Sequence, residues 1–116
     1  MNPISLSSIP EIERIPGYFG RFIHSRNMTM AFWEVKAGSP IPEHRHVQEQ
    51  IMTVTDGLFE LVVEGQRHMM KAGDVCIIPS NVLHGGKAIS NCRIVDVFNP
   101  VREDYVEKDY SYISNN

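Results

Sequence analysis

Three histidines and a glutamine are the residues of this chain whose types and spacing suit chemistry. Two of the histidines and the glutamine lie in Gly38-Ser39-Pro40-Ile41-Pro42-Glu43-His44-Arg45-His46-Val47-Gln48-Glu49-Gln50, a block that closes at Gly57. The third histidine ends the block Gly73-Asp74-Val75-Cys76-Ile77-Ile78-Pro79-Ser80-Asn81-Val82-Leu83-His84. Side chains alternate faces along a strand, so His44, His46 and Gln50 share one face if a single unbroken strand carries them. Three imidazoles and an amide oxygen are a ligand set suited to a divalent transition metal. Because the set is neutral, the charge of a bound cation would be left uncompensated, which favours an anionic ligand or substrate. His24 and His68 fall outside both blocks and read as surface or packing residues.

A second signal is Asp96, which interrupts the apolar run Ile94-Val95-Asp96-Val97-Phe98. A charged group there is costly unless it is paired, hydrated in a pocket or near a metal. Two readings stand side by side. If the strand lines a barrel, Asp96 and Phe98 share a face and both reach a ligand cavity. If it is an edge strand, Asp96 faces water. Arg102 is open in the same way, as a pocket cation or as a member of a surface ion pair within Arg102-Glu103-Asp104, worth about 0 to 1 kcal/mol.

The bulk properties narrow the partners. A chain of 116 residues with 42 % apolar content is one domain with a real but modest core. The formal net charge is −3 and Lys and Arg form no cluster, which argues against a nucleic-acid partner. An acidic substrate remains compatible, since a metal and one arginine suffice to hold a carboxylate. Cys76 and Cys92 have no paired spacing, and Cys76 reads as a small buried hydrophobe. No run approaches the roughly 20 apolar residues of a membrane helix, and no secretory signal is read at the N-terminus, so a cytoplasmic protein is expected.

The elements that must position these residues read as strands. Residues 1 to 16, with Pro3, Pro10 and Pro16, suggest an extended arm lying along a sheet edge or a neighbouring subunit. Strand signals then cover 28–36, 50–55, 58–63, 67–71, 75–78 and 92–98, punctuated by Asp56-Gly57, Glu64-Gly65-Gln66, Ala72-Gly73-Asp74 and Asn99-Pro100. Short strands at this spacing, with no helical periodicity before residue 100, predict an all-β sandwich or barrel. Residues 17–101 would form it, leaving 102–116 as a polar tail with three tyrosines.

Both blocks resemble the paired motifs of the cupin superfamily. Gly38, His44, His46, Gln50 and Gly57 fit the first motif, G-x5-H-x-H-x3/4-E-x6-G, with Gln50 in the acidic slot. Gly73, Pro79 and His84 fit the second, G-x5-P-x-G-x2-H-x3-N, with Asn81 in place of its glycine and Ala88 in place of its asparagine. Asn tolerates left-handed backbone, so the first departure is mild. Beyond the motifs, Met28 to Gly38 and Ile94 to Tyr105 resemble the small single-domain cupins of the KdgF type, which linearise uronates in pectin and alginate degradation. The resemblance implies a jelly-roll cupin barrel. It also implies a divalent metal on His44, His46, Gln50 and His84, with nickel first and zinc, iron, manganese or cobalt as alternatives. It further implies an isomerase-type activity that opens 4,5-unsaturated uronate monomers to the linear keto form, with Asp96, Phe98 and Arg102 in the catalytic pocket. A cupin dioxygenase and a non-catalytic sugar-binding module are the competing expectations. The arm, the open strand edges and the habit of the family lead us to expect a homodimer.

Overall fold

Alternating apolar residues and short Gly/Asp turns give an all-β fold in the computed structural model, which describes residues 1–106. The strands are β1 (Ile12–Ile15), β2 (Tyr18–His24), β3 (Thr29–Val35), β4 (Pro40–His44), β5 (Glu49–Asp56), β6 (Leu58–Val63), β7 (Gln66–Lys71), β8 (Val75–Ile78), β9 (His84–Ala88) and β10 (Cys92–Asn99). They form a six-stranded sheet in the order β1-β2-β3-β10-β5-β8 and a four-stranded sheet in the order β4-β9-β6-β7, with every pairing antiparallel. The only helical turns among the described residues are the 3-10 turns Leu6–Ser8 and Glu103–Tyr105. No helix is long and apolar enough to cross a membrane.

The inward faces of the two sheets meet in one core. In β2, β3 and β10 every second residue is buried, which brings Phe22, Trp33, Ile94 and Phe98 onto the inner face. Phe59 and Leu61 of β6 oppose them from the smaller sheet. Each such side chain contributes about 1.5–3 kcal/mol by leaving water. Gly57 closes the turn between β5 and β6 at φ +86°, and a Cβ there would collide with the Asn91 carbonyl oxygen, so only glycine serves.

All six strands expected from the sequence form. Four others, β1, β2, β4 and β9, were not anticipated. The N-terminal arm lies along a sheet edge: β1 pairs with β2, and Ile9 is buried. At the other end Arg102 is buried and Tyr105 packs against the core, so the chain folds back over the barrel mouth after β10. Residues 107–116 of the expected tail lie outside the described residues. His24 is a packing residue, its Nδ1 2.8 Å from Thr29 Oγ1, and His68 is exposed.

Candidate metal centre

One expectation about the histidine block is corrected by the fold. His44, His46 and Gln50 do not lie on one unbroken strand. His44 ends β4 in the four-stranded sheet, residues 45–48 cross over, and Gln50 sits on β5 in the six-stranded sheet. The two prolines of β4 remove backbone donors and favour a short strand at a sheet edge. The residues nonetheless converge, because the crossover spans the gap between the sheets. His44 is the cross-strand partner of His84 on β9, with ring centroids 4.3 Å apart, and His46 reaches in from the crossover, 4.8 Å from the His84 ring.

The second block holds the crossover in place. Asn81, at φ +63°, donates its backbone N–H to the His46 carbonyl at 2.8 Å, and Ser80 Oγ donates to the Val47 carbonyl at 2.6 Å. The left-handed backbone expected where cupins carry glycine is therefore present, and it ties the loop bearing His46 to the loop that leads to His84.

All three imidazoles are set for coordination in the same way. Each Nδ1 faces a nearby backbone carbonyl: His44 that of Pro42 at 2.8 Å, His46 that of Gln48 at 3.0 Å, and His84 that of Val82 at 2.8 Å. A carbonyl only accepts, so Nδ1 carries the proton and the Nε2 lone pair is left free. Ligating nitrogens of the three rings lie within 4.8 Å of one another. His84 Nε2 is buried with no hydrogen-bond partner.

Gln50 completes the set. Its Nε2 donates to Asp96 Oδ1 at 2.9 Å, which turns its Oε1 toward His46 Nε2 at 3.2 Å. Two lone pairs then face each other, an arrangement relieved by a cation. Protonating the ring is opposed: burial chiefly, and the Arg102 charge after it, lower the pKa of His46, and burial lowers that of His84 to about 4. The orphaned nitrogen, the locked tautomers and the opposed lone pairs all fit a divalent metal held by His44, His46, Gln50 and His84.

Asp96 stands beside this set on the central strand β10. It is 7 % exposed and accepts from Gln50 Nε2 at one oxygen and from Trp33 Nε1 at the other, 3.0 Å away. The water-facing reading of Asp96 is therefore excluded. Burial pushes its carboxyl up to about 6, against the two hydrogen bonds and the positive charge of Arg102.

Arg102 realises both of its readings at once. It is 7 % exposed, and its guanidinium pairs with Asp104 through Nε at 2.9 Å and Nη2 at 2.7 Å. The same group lies over the Phe98 ring at 4.7 Å and over Tyr105 at 4.1 Å. Burial opposes its charge, but the hydrogen bonds to Asp104 outweigh it and keep the group protonated. Phe98 fills the space between this cation and the metal set, edge-on to His46 with ring centroids 5.6 Å apart.

Arg14 is a site residue that sequence reasoning missed. The register of β1 against β2 slips between Glu13 and Ile15, so Arg14 is the extra residue of a bulge. Arg14 and Ile15 consequently both line the cavity. Arg14 Nη2 donates to the Asp104 carbonyl at 2.8 Å, and its guanidinium lies 4.9 Å from the Tyr105 centroid. Tyr105 is thus in cation–π contact with two arginines, one from each end of the chain.

These groups face one cavity of about 300 Å³, lined by His44, Gln50, His84, Asp96 and Arg102 on its polar side and by Trp33, Met52 and Phe59 among its apolar walls. That volume is at the lower end for small-molecule sites and suits a single sugar ring.

A two-sheet antiparallel barrel with a His/Gln centre between the sheets is cupin architecture. The family profile of the cupin domain matches residues 31–98, and the chain belongs to that family. Within it, the sequence is similar to the pectin degradation protein KdgF of Dickeya dadantii (strain 3937), with 34 % identity over 65 residues. That match covers 54 % of this chain and 59 % of the relative, so the chain spans about three fifths of that protein's length. The fold is also that of KdgF from Halomonas sp., with a TM-score of 0.81, 24 % identity, and 86 % of this chain and 95 % of the other covered. An RmlC-like cupin from Shewanella frigidimarina NCIMB 400 is equally similar in fold, with a TM-score of 0.82, 24 % identity, and coverages of 86 % and 91 %.

Proposed function

We propose that this cupin is a metal-dependent isomerase that converts 4,5-unsaturated uronate monomers, as released by pectin and alginate lyases in the cytoplasm, into the linear keto form. The observation that carries the reading is Asp96. It is a buried carboxyl with its pKa pushed up to about 6, facing the same cavity as His44, His84 and Arg102. The similarity to KdgF supports the choice of substrate.

The reaction is an isomerisation with no change of oxidation state. The C1–O5 bond of the cyclic hemiacetal breaks as the C1 hydroxyl loses its proton, leaving an aldehyde at C1 and an enol at C5. The enol then takes a proton at C4 and loses one from oxygen, giving the ketone. Both proton movements need a group able to give and accept near neutral pH, and a carboxyl raised to about 6 serves both. The Gln50 and Trp33 donors hold Asp96 in one orientation. Phe98 and Trp33 keep water from the carboxyl, and Arg102 offers a charged fork to the substrate carboxylate in competition with Asp104. A divalent metal on His44, His46, Gln50 and His84 would supply Lewis-acid polarisation of the conjugated carboxylate and its neighbouring oxygen.

The test is a reaction in D₂O followed by proton NMR. A carboxyl fixed on one wall delivers deuterium to one face of C4, whereas the uncatalysed rearrangement labels both faces. Equal labelling of the two faces in the presence of the protein would contradict the reading.

A further inference from the structure

Asp104 occupies the fork of Arg102 at the cavity. One residue separates the two at the 3-10 turn Glu103–Tyr105, and both line the cavity wall. Arg102 Nε donates to Asp104 Oδ1 at 2.9 Å and Nη2 donates to Oδ2 at 2.7 Å. This is the two-pronged geometry in which a guanidinium takes any carboxylate, that of a ligand included. The partners differ sharply in burial: the Arg102 side chain is 9 % exposed and that of Asp104 54 %.

The cation is fixed without help from Asp104. The Arg102 backbone N–H donates to Thr29 Oγ1 at 2.9 Å. Thr29 is fully buried, and His24 Nδ1 lies 2.8 Å from the same hydroxyl. The guanidinium rests on the rings of Phe98 and Tyr105. The backbone of Asp104 is fixed too, because Arg14 Nη2 donates to its carbonyl at 2.8 Å. What remains able to move is the Asp104 carboxylate, which reaches water by turning about its own side-chain bonds. A half-exposed carboxylate leaves an ion pair at little cost. A buried guanidinium left with no counter-charge is costly. Arg102 therefore exchanges one carboxylate for another far more readily than it gives one up.

We propose that Asp104 is a specificity-determining residue, a resident stand-in for the ligand carboxylate that only another carboxylate displaces from Arg102. A neutral ligand of the same shape must either avoid the fork or strip the buried cation of its partner. The cavity thus rejects neutral ligands by the threat of an unpaired charge, and it accepts weaker binding of acidic ones in return. The inference rests on the uronate reading for the identity of the entering ligand. The exchange itself needs only a carboxylate.

The test uses acetate as the probe and acetamide as its neutral counterpart, added to the ¹⁵N-labelled full chain in the presence of zinc. The readout is the Arg102 Nε–H correlation in proton–nitrogen NMR, assigned by its loss in Arg102→Lys. Asp104→Asn keeps the shape of the side chain and removes its charge. It should bind acetate about tenfold tighter than wild type or more, the value of one charged hydrogen bond no longer in competition. Glu103→Gln makes the same change of net charge one residue away on the exposed side of the turn, and should leave the acetate affinity within about twofold. Acetamide should not move the signal in wild type or in Asp104→Asn. Acetate binding that is unchanged or weaker in Asp104→Asn overturns the proposal, because Asp104 then only orients Arg102. So does equal tightening by Glu103→Gln, or acetamide binding to Asp104→Asn as tightly as acetate. Acetate carries no sugar, so each outcome is read whether or not a uronate is the substrate.

Discussion

Gln50 donates one amide hydrogen to Asp96 at 2.9 Å and aims its oxygen at His46, 3.2 Å away. One side chain therefore joins the candidate acid/base to the metal set, and this explains why the acidic slot of the cupin motif holds an amide here. A glutamate would bring a second carboxylate against Asp96 and give it no donor. Gln50→Glu should retain metal, since a carboxylate is also a ligand, yet lose activity by about tenfold or more. Its pH–rate profile should shift upward, because a neighbouring negative charge raises the Asp96 pKa further. Metal analysis together with that profile checks both parts.

Asp96→Asn removes the proton carrier and leaves all four ligands. Turnover should fall by about 10²–10⁴-fold with metal content unchanged. Stability should move little, within about 2 kcal/mol. The asparagine leaves one of the two donors, Gln50 or Trp33, without an acceptor, and losing a buried carboxylate charge offsets this. Wild-type activity in this variant would remove Asp96 from the mechanism.

Among the groups through which the metal-free protein should respond to acid, His84 and Asp96 oppose each other. His84 has a folded pKa of about 4, below its unfolded value, so between about 4 and 6.5 the unfolded chain binds more protons and stability falls as pH drops. Asp96 has a folded pKa of about 6, above its unfolded value. Its contribution is present in full below about pH 4 and is lost as pH rises through about 6. The two slopes partly cancel in wild type. Asp96→Asn lacks the second, so its stability should fall more steeply than wild type from pH 6 to pH 4. Urea unfolding across that range, on chelator-treated protein, measures the difference directly.

Arg14 holds the segment that carries Arg102, through the Asp104 carbonyl and the face of Tyr105. Arg14→Gln should raise KM by about tenfold, the value of one weakened charged contact, and change kcat little. A fall in kcat with KM unchanged would place Arg14 in the chemistry and contradict this positioning role.

Metal binding should also be visible in stability. Saturation at about a hundredfold over Kd adds roughly 2.7 kcal/mol, which raises Tm by about 10 °C for a chain of this size. His84→Ala should abolish most of that rise. Because His84 Nε2 has no partner without a cation, the substitution should cost the metal-free fold less than a typical buried truncation.

Much of this arrangement was legible in the residues. Strands such as β3 and β10 announce themselves by strict alternation, and β5 to β8 by their Gly and Asp turns. β4 was hidden by its two prolines, β9 by Gly85-Gly86, and β2 by Gly20 and its position after a proline-rich arm. The three histidines were legible because motif spacing survives a break in the strand. A shared face for His44, His46 and Gln50 required one unbroken strand, and the crossover at residues 45–48 breaks it. The donor role of Gln50 depends on a contact between residues 46 positions apart in sequence. The aim of Arg14 depends on a bulge, and neither leaves a trace in local pattern.

Linearisation of an unsaturated uronate by this barrel, with help from a metal on the His/Gln set, has an optical readout. The direct measurement is the ultraviolet absorbance of freshly generated unsaturated monomer over time, with wild-type protein, chelator-stripped protein, Asp96→Asn and a protein-free blank. Wild type should give rapid loss of the conjugated chromophore, the stripped protein should recover on adding back divalent metal, and Asp96→Asn should decay near the blank rate. Decay at the blank rate with metal-loaded wild type would contradict it.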